Sequence, residues 1–268
     1  MTNKMKEPLK SIVDAFHKYN SENMAEQTFA LSSDEQYDLL VVAPSFTPYK
    51  LHMDEYCKVT TLAERSYLSS FLVEKDGLRI AWVKIAASAG NLIDHLAICT
   101  ELTFKRMVFI GAVGALKADW KLGDVATPSY SVSGSMADTY LMQKSIRDSM
   151  LFTKVTPDQA FADHIIEIAR GKGYEIRKGS VFCTPTIAAE YIHLDEIREW
   201  DTDLIEMETA SFILMTDLME IPGIALLVVS DNSANGTPLV GRTEEQQKQY
   251  VYGRDVVLPD MILTLAAE

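Results

Sequence analysis

The stretch Arg106-Met107-Val108-Phe109-Ile110-Gly111-Ala112-Val113-Gly114-Ala115-Leu116 decides how the rest of the chain is read. Residues 106–110 form an apolar run that predicts a buried strand, and two glycines among small residues predict a loop at its C-terminal end. On its own such a loop is an ordinary turn, although its small residues also let backbone N–H groups approach a ligand closely. The same pattern recurs upstream. Leu39-Leu40-Val41-Val42-Ala43 is a short apolar run closed by Pro44, a buried strand that opens into Ser45-Phe46-Thr47. Residues 68–73 and 78–85 are β-prone and flank Glu74-Lys75-Asp76-Gly77, where Asp-Gly predicts a hairpin turn. The second of these strands runs into Ser88-Ala89-Gly90-Asn91, and residues 92–102 read as a helix with Asn91 as its N-cap.

Downstream, residues 124–132 are strand-like, 158–170 helical, and 180–184 a short strand before Pro185. Residues 206–219 read as one helix stopped by Pro222-Gly223, and 224–230 as a strand ending at Asp231; from Arg242 onward the chain is mostly helical. Near the start, Leu9, Ile12, Val13 and Phe16 recur at helical spacing and predict an amphipathic helix. Strands interleaved with helices predict an α/β fold, and the hairpin makes the central sheet mixed. No repeat or linker divides the chain, so one domain is expected over residues 37–268, preceded by a helical extension over 1–36.

With 268 residues, 47% of them hydrophobic, the chain is long enough for one large core, and its net charge of -13 excludes a general nucleic-acid binder, which needs a basic footprint. Cys57, Cys99 and Cys183 form no C-x-x-C and the five histidines no H-E-x-x-H, so neither a disulfide framework nor a metal is predicted. The N-terminus lacks the apolar segment of a signal peptide, and no apolar run approaches the ~20 residues of a membrane span. A cytoplasmic protein acting on a small molecule is expected.

In α/β folds, ligands sit beyond the C-terminal ends of the strands. Four segments fall there: 45–47, 88–91, 111–114 and 230–232. Asp231 ends an apolar strand, and burial beside Val228 and Val229 would raise its pKa enough for it to act as an acid; Asp-Asn-Ser is also ordinary turn chemistry. Glu206 and Glu208 flank Met207 where the helix begins; the helix dipole favours acids there, and a carboxylate also holds a vicinal diol well. Asp94 and His95 are adjacent on a helix and face apart, which predicts a packed or solvated histidine. Arg242 and Lys248 are explained by a charged surface helix and are also in reach of an anion.

Three motifs in this order resemble the nucleoside phosphorylase superfamily from residue 39 to the C-terminus: the 109–116 segment followed by Leu122-Gly123-Asp124-Val125, Ile205-Glu206-Met207-Glu208-Thr209-Ala210, and Val228-Val229-Ser230-Asp231. The resemblance implies a single three-layer α/β/α domain that cleaves the N-glycosidic bond of a purine nucleoside or nucleotide. It implies that Asp231 protonates the leaving base and that Glu208 binds the ribose hydroxyls, with Met207, Glu206, Gly90, Gly111, Ala112, Val113, Gly114 and Ser230 around the substrate. It also implies a homo-oligomer and no cofactor, with phosphate a possible co-substrate. Phosphorolytic members carry Gly-Asp-Pro and an arginine after the first strand, where this chain has Ala43-Pro44-Ser45, and an arginine where it has Phe109. Asp94-His95-Leu96 and Phe109-Ile110 are similar to the AMP nucleosidases, a hydrolytic branch. A nucleoside-binding protein without turnover is the alternative outside enzymes; a dinucleotide oxidoreductase would need the full G-x-G-x-x-G, which is absent.

Overall fold

The computed structural model describes residues 5–20, 23–142, 145 and 147–268. Its strands are β1 (Gln36–Ala43), β2 (Lys58–Arg65), β3 (Leu68–Lys75), β4 (Leu78–Lys84), β5 (Thr103–Ala115), β6 (Val125–Val132), β7 (Lys154–Val155), β8 (Ile176–Cys183), β9 (Leu204–Glu206) and β10 (Gly223–Asn232). They form one mixed sheet in the order β10-β6-β8-β9-β5-β1-β4-β3-β2, with β7 on β6. β1 runs parallel to β4 and β5, whereas β2, β3 and β4 are joined by antiparallel hairpins. The turn between β3 and β4 holds Asp76 at φ 50° and Gly77 at φ 85°, the two positive values that an Asp-Gly hairpin turn uses.

The helices are α1 (Glu7–Tyr19), α2 (Met24–Phe29), α3 (Ala89–Cys99), α4 (Ala137–Leu141), α5 (Gln159–Gly171), α6 (Ile187–Glu190), α7 (Leu194–Arg198), α8 (Thr209–Met219), α9 (Glu244–Tyr252) and α10 (Leu258–Ala267). Strand alternation divides the core between the two faces of the sheet. In β5, Met107 and Phe109 join Leu9, Phe29, Leu96 and Phe212, from α1, α2, α3 and α8. Val108 and Ile110 join Ile165 of α5 and Met261 of α10 on the other face. The result is a single α/β domain with a central sheet between helical layers. No helix is long and apolar enough to cross a membrane among the described residues.

Three sequence expectations are corrected here. The strand read as ending at Ile110 continues through both glycines to Ala115, because β10 pairs with 107–115 on one side and β9 with Gly114 and Ala115 on the other. Backbone pairing on both edges outweighs the low strand propensity of glycine. The long β5 thereby closes part of the sheet into a ring, β5-β10-β6-β8-β9. Second, the helix read over 206–219 begins only at Thr209; Leu204, Ile205 and Glu206 are strand β9, paired to β8. Third, Ser88 rather than Asn91 caps α3, its hydroxyl accepting from the Asn91 N–H at 3.1 Å.

One glycine anchors the end of β10. Gly123 has φ +82°, and a Cβ there would stand 2.0 Å from the Gln249 carbonyl oxygen, so no other residue passes α9 this closely. Its N–H donates to the Val229 carbonyl at 3.0 Å, and the Val229 N–H donates to the Asp124 carbonyl at 2.9 Å. The Gly-Asp-Val segment thus holds the backbone immediately before Ser230 and Asp231.

Candidate active site

Beyond the ends of β5, β9 and β10 lies a cavity of about 190 Å³. Three short segments shape it. The first is the end of β10, where the register against β5 slips between Val229 and Asp231, so that Val229 faces Val113 and Asp231 faces Gly114. A bulge of this kind re-aims a side chain that regular alternation would send elsewhere. The slip places the Asp231 carboxyl against Gly114, whose missing side chain makes room for it: a Cβ there would lie 3.1 Å from Asp231 Oδ2. Ser230 Oγ lies 2.6 Å from Asp231 Oδ1 and holds the carboxyl in place. Burial pushes the Asp231 carboxyl above the usual carboxylate range; the Ser230 hydroxyl and the positive charge of Arg242 pull it part of the way back.

The second segment joins β9 to α8. Glu206 is buried, and its carboxylate accepts from the N–H of Glu208 at 2.7 Å, the N–H of Thr209 at 3.0 Å, the Thr209 hydroxyl at 2.8 Å and the Cys183 thiol at 2.9 Å. It therefore closes the N-terminus of α8, where unpaired N–H groups and the helix dipole favour a negative charge. Glu208 is also buried, yet its Oε1 has no hydrogen-bond partner among the described residues. Burial and the neighbouring charge of Glu206 push the Glu208 carboxyl up to about 9. The negative charge of the pair belongs on Glu206, which has four donors, and the proton on Glu208, which has fewer and whose Oε1 is left over.

That arrangement makes stability depend on pH with a definite sign. Glu208 holds its proton in the folded chain up to about pH 9, whereas the unfolded side chain loses it near 4.5. The folded state therefore binds more protons across that window, and stability falls as pH rises through it. Thermal melts taken from pH 5 to 9 should show a falling midpoint in wild type and a shallower fall in Glu208→Gln. Equal slopes would mean that Glu208 ionises normally.

The third segment contains α6 and the residues around it. Thr184, Ile187, Glu190 and Tyr191 line the cavity. Thr184 and Glu190 also line an adjoining cavity of about 420 Å³ walled by Phe152, Phe182 and Trp200. The Phe152 and Trp200 rings stack with their centroids 5.0 Å apart.

Of the residues singled out from sequence, Gly111, Ala112, Gly114, Glu206, Met207, Glu208, Ser230 and Asp231 line the same cavity, together with Ser45 from the end of β1. Two are placed elsewhere. The Val113 side chain is in the core, and only its carbonyl approaches the site, 3.3 Å from Ser230 Oγ. Gly90 lies in the first turn of α3, and Ala87 takes the place on the cavity wall that Gly90 was expected to have. His95 is packed, with Nδ1 2.6 Å from the Asn91 carbonyl oxygen and its ring beside Phe29. Arg242 precedes α9 instead of lying on it; its guanidinium donates to the Ser230 carbonyl at 2.9 Å and stacks on Tyr250. Glu190, Tyr191 and Leu239 were not found from sequence, because they sit in segments with no periodicity and no small-residue signal.

The comparisons with known proteins agree with this geometry. The phosphorylase superfamily model matches residues 76–252, which include β5, the β9–α8 junction and the end of β10. The DeoD-type purine nucleoside phosphorylase of Haemophilus ducreyi is 22% identical over 169 residues, covering 61% of this chain and 66% of that protein, just under two thirds of its length. Among solved structures, uridine phosphorylase from Vibrio fischeri superposes with TM-score 0.71 at 15% identity, over 92% of this chain and all of that one, 100%. AMP nucleosidase from Bacteroides thetaiotaomicron gives 0.64 at 18% identity over 94% and 98% of the two chains. Sequence match and fold coincide on the strand ends that build the cavity, and the chain belongs to the phosphorylase superfamily.

Proposed function

We propose that the chain cleaves the N-glycosidic bond of a purine nucleoside or nucleotide. Breaking that bond builds negative charge on the departing base and positive charge on the sugar, so the reaction needs an acid at the base and anionic or neutral acceptors around the ribose. The observation that carries the reading is one cavity holding a half-buried carboxyl with a raised pKa, Asp231, and a second, buried carboxyl, Glu208, whose Oε1 lacks a partner among the described residues. Asp231 donates its proton to the base nitrogen, oriented by Ser230. Glu208 accepts from a ribose hydroxyl through the Oε1 that has no partner among the described residues. Met207 packs on the sugar, and the β5 segment at Gly111, Ala112 and Gly114 brings backbone close to it. Glu206 acts through Glu208, by fixing the turn that presents it.

The charge on the cavity favours water over phosphate as the nucleophile. The lining described contains four carboxyls, Glu190, Glu206, Glu208 and Asp231, and no lysine, arginine or histidine. Lys50 and Arg242 are turned to the backbone carbonyls of Ser45 and Ser230, at 3.2 and 2.9 Å. A phosphate dianion entering such a site finds no cation in this lining to hold it, a partner that water does not need. Ile192 and Val240, next in the chain to the cavity-lining Tyr191 and Leu239, are each 84% exposed, and with the half-exposed Ile187 and Tyr191 they offer apolar surface suited to a second copy of the chain in a homo-oligomer.

The test is release of free base from adenosine, inosine, AMP and uridine with and without inorganic phosphate, with the sugar product identified. Purine release at the same rate in both, yielding free ribose or ribose 5-phosphate, is expected. Release only with phosphate, yielding ribose 1-phosphate, would replace hydrolysis with phosphorolysis. Turnover of uridine alone would overturn the purine reading.

A further inference from the structure

Glu190 is the fourth carboxyl of the cavity and the one that the proposed chemistry does not use. It ends the short helix α6, is half-buried, and lines both the reaction cavity and the adjoining aromatic cavity. Its carboxyl has no hydrogen-bond or ion-pair partner among the described residues, which separates it from Glu206, whose oxygens are taken by protein donors. Asp231 lines the same cavity and is near enough for its charge to act on Glu190. A free acceptor beside the proton donor has a specific meaning for a purine. Adenine presents N7, an acceptor, next to the N6 amino donor, whereas a 6-oxo purine presents N7 next to O6, a second acceptor. A donor at Asp231 serves N7 in both, so only the group beside it distinguishes the two bases.

We infer that Glu190 is the specificity-determining residue that reads position 6 of the base, accepting from a 6-amino group and opposing a 6-oxo group. This rests on the reading of Asp231 as the acid at N7. Asp231 of β10, Glu206 and Glu208 of the β9–α8 junction and Tyr191 share the reaction cavity with Glu190, and His193 and Glu196 share the adjoining one. Among the described residues no lysine or arginine lines either cavity. Burial and the charge of Asp231 push the Glu190 carboxyl up to about 7. Above that pH it only accepts; below it, the protonated group also donates and accommodates O6. The preference for the amino base therefore grows as pH rises.

The experiment measures kcat/KM for base release from two matched pairs, adenosine with inosine and AMP with IMP, at pH 6 and 8.5, in wild type, Glu190→Gln and Glu190→Ala. Wild type should favour the 6-amino member by about tenfold to a hundredfold at pH 8.5, the discrimination a well-placed polar contact to a base edge supplies, and by less at pH 6. Both variants should lose most of that ratio and its pH dependence. A ratio unchanged by both substitutions, or a wild-type preference for the 6-oxo members, overturns the assignment while leaving the proposed reaction intact. Absence of base release from all four compounds overturns instead the reading on which the assignment rests.

Discussion

Asp231→Asn is expected to lower kcat for base release by about a hundredfold to ten-thousandfold, the range over which a positioned general acid contributes, with KM changed far less. The amide has the shape of the carboxyl, so the close fit against Gly114 and the contact with Ser230 survive; what disappears is the transferable proton. Thermal melting should accordingly stay near wild type, and substrate should still bind. A kcat within about threefold of wild type would remove Asp231 from the role of acid, because a loss that small is below what proton transfer supplies.

Glu206→Ala should produce the largest loss of stability. The carboxylate receives two backbone N–H groups, one hydroxyl and one thiol, all buried at the start of α8. Truncation leaves these donors unpaired, each at a cost of roughly 1–3 kcal/mol, and a total of about 3–5 kcal/mol is expected once partial rearrangement is allowed. For a chain of this size that lowers the melting midpoint by on the order of 10 °C. Glu206→Gln keeps an acceptor oxygen and should lose less stability. It should also lower the Glu208 pKa, since the charge of Glu206 is one of the two main causes of its elevation. A midpoint within about 1 °C of wild type for Glu206→Ala would show that the helix start does not depend on this carboxylate.

Local patterns were enough for the architecture. The apolar run at 39–43, the Asp76-Gly77 turn and the run at 224–230 each state their conformation within a few residues, because alternation, turn chemistry and burial act over short range. The residue types at the site were legible in the same way: Asp231 ends an apolar strand, and two glutamates stand where an apolar helix begins. The boundaries were less so. Gly111 and Gly114 read as a loop because glycine disfavours strands locally, yet they are strand, since β9 and β10 supply backbone partners from about 90 and 115 residues further along the chain.

Glu206 and Glu208 show the same division at the level of chemistry. By sequence alone they are two acids of equal standing, one residue apart. In the fold one turns to the helix N-terminus and the Cys183 thiol, while the other is buried with an oxygen that has no partner among the described residues, and this asymmetry favours the charge on Glu206 and the proton on Glu208. Glu190 had no local signal at all; the segment after β8 brings it into the cavity that Asp231 lines. Sequence by itself determined most of the strands and long helices, the mixed α/β class and the presence of an aspartate where the apolar run at 224–230 ends, because these depend on neighbours a few residues away. Tertiary structure alone decided which carboxyls share a cavity, which of them are pushed toward their protonated form and which buried oxygen has no partner among the described residues, because burial and charge coupling depend on distances that no short stretch of chain contains.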